Sequence, residues 1–239
     1  MKKYLLFIVE GINDKREIQA MIRAVTNNRV CDHYVDSYCI KGGDITSDYK
    51  TNEKNIINKL NELVIDWRNG GEQPFQKIQV SDVERIIHIV DTDGAFVPES
   101  AVVESDDAKI QYHDDMMCSI DRNGTVNRNY KKARVLRKLI VTKQIDNIPY
   151  TVYFSSCNMD HLLFDIRNSD QQTKKKNSQI FSVRCKSEDY LQETVYSPKI
   201  CAHSFSESWN MIQQGRNSLR RHTNINIVLD VIKDLVKQE

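Results

Sequence analysis

Three acidic residues stand directly behind apolar runs of strand length. Glu10 follows Tyr4–Val9, and Asp91 and Asp93 follow Ile86–Val90. In an open parallel sheet such positions lie together at the carboxyl edge, where these folds bind their ligands. Residues two apart on an extended segment point the same way, so Asp91 and Asp93 can face one site. Three hard oxygen donors on rigid strand ends suit Mg²⁺ or Mn²⁺, whose remaining positions go to water and phosphate. Without a cation the three charges would repel one another. Glu10 fits either a ligand's role or that of the base that takes a proton from water. The plain alternative is local: Asp-Thr-Asp-Gly is also a common turn sequence.

The elements that must carry these acids are legible as periodicity. Tyr4–Val9 and Ile86–Val90 are continuous apolar runs, as expected of strands covered on both faces. Gly11 permits a turn, Asn13 and Asp14 offer helix caps, and Ile18, Met21, Ile22 and Val25 recur at helical spacing. A capping box pairing Asp14 with Glu17 is expected there. Tyr34–Ile40 reads as a second strand ended by Gly42 and Gly43, and Gly42-Gly43-Asp44 either lines the active edge or, as the safer reading, forms a simple turn. Ile56, Ile57, Leu60, Leu63, Val64 and Trp67 mark an amphipathic helix stopped by Gly70 and Gly71. Ala95 to Asn129 is less regular, with turn signals at Pro98 and Asn123-Gly124. A basic helix follows, with Lys131, Lys132, Arg134, Arg137 and Lys138 around Val135, Leu136, Leu139 and Ile140. Thr151–Phe154 is a fourth strand, Met159–Ile166 starts a short helix, and the rest reads as helical, ending on a stripe of Ile225, Val228, Leu229, Ile232 and Leu235. Strands alternating with helices imply parallel βαβ units. The expected architecture is an α/β domain over residues 1–165, a parallel sheet flanked by helices, with a helical C-terminal part over 166–239 packed on it.

Composition narrows the classes. The 239 residues suffice for one substantial core, and 40% hydrophobic with 28% charged residues indicates a globular chain. With 34 basic and 33 acidic residues, net charge does not point to a polyanionic partner. No apolar run approaches the roughly 20 residues of a membrane span, so no membrane association is expected. The opening Met-Lys-Lys and Tyr4–Val9 lack the cleavage site of a signal peptide. Six scattered cysteines without a CxxC pair argue against zinc or disulfides and for a reducing, cytoplasmic setting.

Val9-Glu10-Gly11-Ile12-Asn13-Asp14-Lys15 resembles the glutamate motif of nucleases in the Toprim superfamily, and Val90-Asp91-Thr92-Asp93 resembles its DxD motif. The likeness covers roughly the first 95 residues. The segment Tyr153 to Phe164 is similar to the aromatic-Ser-x-x-x-acidic segment of small Toprim nuclease-like proteins of the OLD, RloB and AbiL kind. The resemblance implies a Toprim-like sheet and metal-dependent chemistry on phosphodiesters of DNA or RNA. It also implies an ATPase partner and a setting in phage defence or a mobile element. On that likeness Asp160 is an additional site carboxylate. Asp14 and Lys15 are further candidates, Lys15 as a phosphate contact from the first helical turn. A primase would need a zinc module and a topoisomerase a separate tyrosine-bearing domain, so cleavage by metal-activated water is the reaction left.

Other features have two readings. The helix Lys131–Lys138, with Arg122 and Arg128 before it, is a candidate nucleic-acid-binding face or an ordinary solvated side. Lys174, Lys175 and Lys176 carry the same ambiguity. Arg216, Arg220 and Arg221 either approach the site or join two helices. His88 reads as a core histidine, and Cys157 with His161 lacks the partners of a zinc site. Ile89 to Ala95 also resembles the nucleophile loop of haloacid-dehalogenase-like phosphatases, which gives Glu10 no role. A non-catalytic Toprim subunit that binds an ATPase or nucleic acid is the remaining alternative.

Overall fold

The apolar runs that end at Glu10 and Asp91 become neighbouring parallel strands. The computed structural model describes residues 3–26, 33–39, 44–70, 77–106 and 109–237. The first half comprises β1 (Lys3–Val9), α1 (Ile12–Val25), β2 (His33–Cys39), α2 (Ile56–Arg68) and β3 (Val83–Asp91). Three short strands follow, β4 (Val102–Glu104), β5 (Gln111–Tyr112) and β6 (Met117–Ser119), and then the long helix α3 (Arg122–Val141). The second half holds β7 (Gln144–Ile145), β8 (Ile148–Ser156), α4 (Met159–Phe164), α5 (Gln171–Arg184), α6 (Phe205–Ile212), β9 (His222–Thr223) and α7 (Ile225–Lys237).

The main sheet runs β2-β1-β3-β8-β7, with β9 also on β8. The four strands β2, β1, β3 and β8 are mutually parallel, whereas β7 and β9 pair antiparallel to β8. The fold is therefore α/β with a mixed sheet, not the purely parallel one expected. Alternate residues of each strand face opposite layers. Leu6, Ile8, Ile86, Val90, Val152 and Phe154 pack with α2, α3 and Trp209 of α6. Leu5, Phe7, Val9, Ile87, Ile89 and Tyr153 pack with α1, α4, α5 and α7. Two covered faces explain why the strands read as unbroken apolar runs.

From β1 the chain passes outward to β2 and then returns across β1 to β3. This reversal makes a topological switch point between the carboxyl ends of β1 and β3, the usual ligand crevice of such sheets.

Several boundaries differ from the sequence reading. Helix α1 starts at Ile12 with Gly11 as its N-cap, so neither Asn13 nor Asp14 caps it. Asp14 instead accepts from the Gly11 amide, and Glu17 is buried. The irregular stretch after Ala95 folds into the small sheet β4-β6-β5. Asn123-Gly124 is no turn: the Asp121 carboxylate accepts from the Gly124 amide at 2.8 Å and caps α3 there. Strand β8 is longer than Thr151–Phe154. The C-terminal part is not purely helical, because β9 joins the main sheet and α7 fills the core beside α1. Ile40, Gly42, Gly43 and Gly71 lie outside the described residues. No helix among the described residues is long and apolar enough to cross a membrane.

Candidate active site

Glu10 leaves β1 and Asp91 ends β3, and the Asp91 amide donates to Glu10 Oε1 at 3.2 Å. Asp93 follows in a tight turn. It has φ 47°, and Gly94 has φ 68°. The positive φ favours glycine at position 94, and a β-carbon there would lie 2.7 Å from Met117 Sδ and 2.9 Å from Leu219, so those side chains would have to shift. The turn is pinned to the end of β8, where the Thr92 amide donates to Ser155 O at 3.0 Å and the Asp93 amide to Cys157 O at 2.8 Å. Ser218 supports it from below: its carbonyl accepts from the Thr92 hydroxyl at 3.1 Å, and its hydroxyl accepts from the Phe96 amide at 3.3 Å. The polar segment between α6 and α7 thus reaches the site as scaffolding.

Glu10, Asp91 and Asp93 line one cleft of about 460 Å³, together with Tyr112, Asn158, Arg167, Asn168, Lys109 and Lys174. Asn168 ties the small sheet across it, accepting from the Tyr112 amide and donating to the Tyr112 carbonyl, each at 2.9 Å. Arg167 pairs with Asp114.

The three acids are held differently. Asp93 Oδ2 lies 2.6 Å from Lys132 Nζ, which lies equally close to Asp44 Oδ2. Its Oδ1 accepts from the Tyr112 hydroxyl at 3.4 Å, and its carbonyl from Arg128 at 2.6 Å. Asp91 Oδ1 accepts from the Ser155 hydroxyl, its register partner on β8. Among the described residues, no protein cation pairs with Glu10 or Asp91.

Protonation follows this division. Desolvation, then Asp44, raises Glu10 well above the usual carboxylate range. Desolvation, then Asp14 and Asp93, does the same to Asp91. Desolvation also pushes Asp14, on α1, up to about 6, with Lys174 opposing and Asp160 and Asp93 adding. Desolvation also raises Asp160. Burial alone would raise Asp44 too, but Lys132 holds it well below the ordinary value. Burial likewise opposes charge on Lys132, yet Asp44, Asp93 and Glu10 outweigh it and keep it protonated.

The site residues expected from sequence therefore separate. Glu10, Asp91 and Asp93 share the cleft. Asp14 and Asp160 do not line it but interact electrostatically beside it, Asp160 accepting from Asn177 at 3.1 Å. Lys15 does not line it either. The basic helix is not one binding face. Lys132 is wholly buried among acids and cannot be a phosphate contact, whereas Lys131, Arg134, Arg137 and Lys138 are exposed. Arg134 pairs with Glu53, and Arg137 donates to Gln213 at 2.9 Å and lies over the Phe96 ring. Arg128, also read as a phosphate contact, binds the Asp93 carbonyl and Tyr112. His88 is buried against the Tyr150 hydroxyl at 2.8 Å, and His161 accepts from the Cys157 amide at 3.0 Å. The sequence reading missed Ser155, Tyr112 and the central role of Lys132. The signal for Lys132 was present, since it falls on the same helical stripe as Val135, Leu136 and Leu139.

Hard oxygens suit a divalent ion, and among the described residues Glu10 and Asp91 form no salt bridge. However, no group of three His, Cys, Asp or Glu side chains among the described residues is arranged to hold a metal. Compared with protein-family models, curated proteins and solved structures, the chain matches none.

Proposed function

We propose that this chain is a Toprim-like nuclease that hydrolyses phosphodiesters of DNA or RNA with Mg²⁺ or Mn²⁺. One observation carries the reading: two strand-end carboxylates, Glu10 and Asp91, meet at the switch point in one cleft, and among the described residues neither forms a salt bridge. Perturbed acids in a crevice of this kind are where function is expected. A divalent ion there would supply charge to the transferring phosphoryl group and lower the pKa of a bound water. Glu10 and Asp91 are the residues that would hold it. Asp93 takes part by fixing the turn that carries Asp91. Lys174 and Arg167 give the same cleft positive charge toward a phosphate. Lys174 keeps its proton: burial opposes the charge, but Asp91, Asp160, Asp14 and Asp93 favour it.

Contact between Glu10 and the Asp91 amide favours this over the dehalogenase-like phosphatase, in which Glu10 has no part. An ATPase partner and a role in phage defence extend the same resemblance. The test is a panel of plasmid, single-stranded DNA, RNA and a small phosphate monoester, each incubated with Mg²⁺, Mn²⁺, Ca²⁺ or chelator. Cleavage that needs Mg²⁺ or Mn²⁺, fails with Ca²⁺ and is lost in Glu10→Gln and Asp91→Asn is expected. Monoester turnover that survives Glu10→Gln but not Asp91→Asn would restore the phosphatase. Wild-type protein that binds nucleic acid without cutting it would favour the non-catalytic subunit.

A further inference from the structure

Asp93 differs from its two companions in the cleft. Both of its carboxylate oxygens already have a donor, Lys132 at 2.6 Å and the Tyr112 hydroxyl at 3.4 Å. Lys132 has no exposed side-chain surface and reaches Asp44 at the same 2.6 Å, so it has no route into solvent that would release Asp93. Handing Asp93 to an ion would bring a second cation against a dry ammonium, at a heavy electrostatic cost. Glu10 and Asp91 are in the opposite state. Each has one oxygen satisfied, by the Asp91 amide and the Ser155 hydroxyl, and no other donor among the described residues.

We propose that Lys132 is the site's built-in second cation, that it withdraws Asp93 from the ligand set, and that the cleft takes a single divalent ion between Glu10 and Asp91. This rests on the metal-dependent reading above. Two-ion sites place a pair of cations about 3.5–4 Å apart to clamp the attacking and leaving oxygens. Here a fixed ammonium on α3 takes the place of one of them, next to Asp93 and Asp44. It meets no substrate and acts through the acids it holds, which makes Lys132 and Asp93 positioning residues.

The experiment is a Mn²⁺ titration of the full chain, followed by the resonance signal of the free ion and by calorimetry. One ion per chain is expected. Asp93→Asn, whose amide oxygen still accepts from Lys132, should keep that ion with an affinity loss of about tenfold, the size seen when a residue behind the ligands is changed. Glu10→Gln and Asp91→Asn should each abolish binding. Two ions on the wild type, or binding lost in Asp93→Asn as fully as in Asp91→Asn, overturns the single-ion proposal and leaves the metal reading standing. No binding to the wild type overturns both. If circular dichroism shows that Asp93→Asn does not fold, the wild-type stoichiometry decides the question alone.

Discussion

Two groups of acids meet at one edge of the sheet, and the fold treats them in opposite ways. Asp44 and Asp93 share Lys132, a side chain with no exposure, at 2.6 Å each. Asp44 also accepts from the Thr46 amide at 2.7 Å. Among the described residues Glu10 and Asp91 accept only from a backbone amide and a hydroxyl, and desolvation pushes both toward the protonated form. Asp14, Glu17 and Asp160 extend this second group on the α1 side and are raised as well. Burial of an acid is thus not what marks the site. What sets the second group apart is burial without a salt bridge among the described residues, so that desolvation prevails over the weaker pull of Lys132 and Lys174.

Breaking the compensated group should have the largest effect. Lys132→Met leaves Asp44 and Asp93 without their cation and should cost about 3–5 kcal/mol, the usual result of removing one partner from a buried pair. Urea unfolding in chelator measures it, and a loss under about 1 kcal/mol would show that Lys132 is not the counter-ion in solution.

Relieving the uncompensated group should act with the opposite sign. Glu10→Gln removes a buried carboxyl group whose ionisation the fold disfavours and should stabilise the metal-free protein by on the order of 1 kcal/mol; on the nuclease proposal it should also end cleavage. Destabilisation in the same unfolding assay would mean that Glu10 serves the fold.

The pH dependence separates the two groups further. Asp14, raised to about 6 from 3.8, holds a proton in the folded state that the unfolded chain has released across that window. The folded state therefore binds more protons there, and the metal-free protein gains stability as pH falls from about 6 toward 4. Asp44 is depressed well below its ordinary value and loses nothing in the same window. Asp14→Asn should flatten the rise, although Lys174, Asp160 and Asp93 all face Asp14 and share its titration. An unchanged slope would place the proton elsewhere. If the proposed ion binds, it should reverse the trend, because its ligands must be deprotonated.

The smallest effects belong to the exposed side of α3. Lys131→Ala and Lys138→Ala should change stability by no more than about 0.5 kcal/mol. If they weaken binding of an oligonucleotide and flatten its salt dependence, the nucleic-acid face expected from sequence exists beside the cleft. Unchanged binding would confine recognition to the cleft.

Much of this was legible in advance because it depends on short-range pattern. A strand covered on both faces must be apolar throughout, so β1 and β3 announced themselves, and the acids behind them were placed by counting. Helices α1, α2 and α7 followed from stripes that now fill the two cores. The small sheet did not, because strands as short as β5 and β6 are too brief to show alternation. The start of α3 was missed because Asn123-Gly124 reads as a turn until the Asp121 cap is seen.

The sequence by itself determined which residues would stand at the ends of the strands, since strand period and burial are encoded locally. It could not say which acids would be neutralised. The helical stripe that Lys132 shares with Val135, Leu136 and Leu139 marks it as buried but names no partner, and Asp44 and Asp93 lie 88 and 39 positions away from it along the chain. Only packing of α3 against the sheet brings that ammonium between two carboxylates, and only the resulting low-dielectric enclosure makes it hold them. Tertiary structure therefore decided the division between the paired acids and the unpaired ones, because electrostatic compensation depends on distance in space and on excluded water, neither of which the order of residues records.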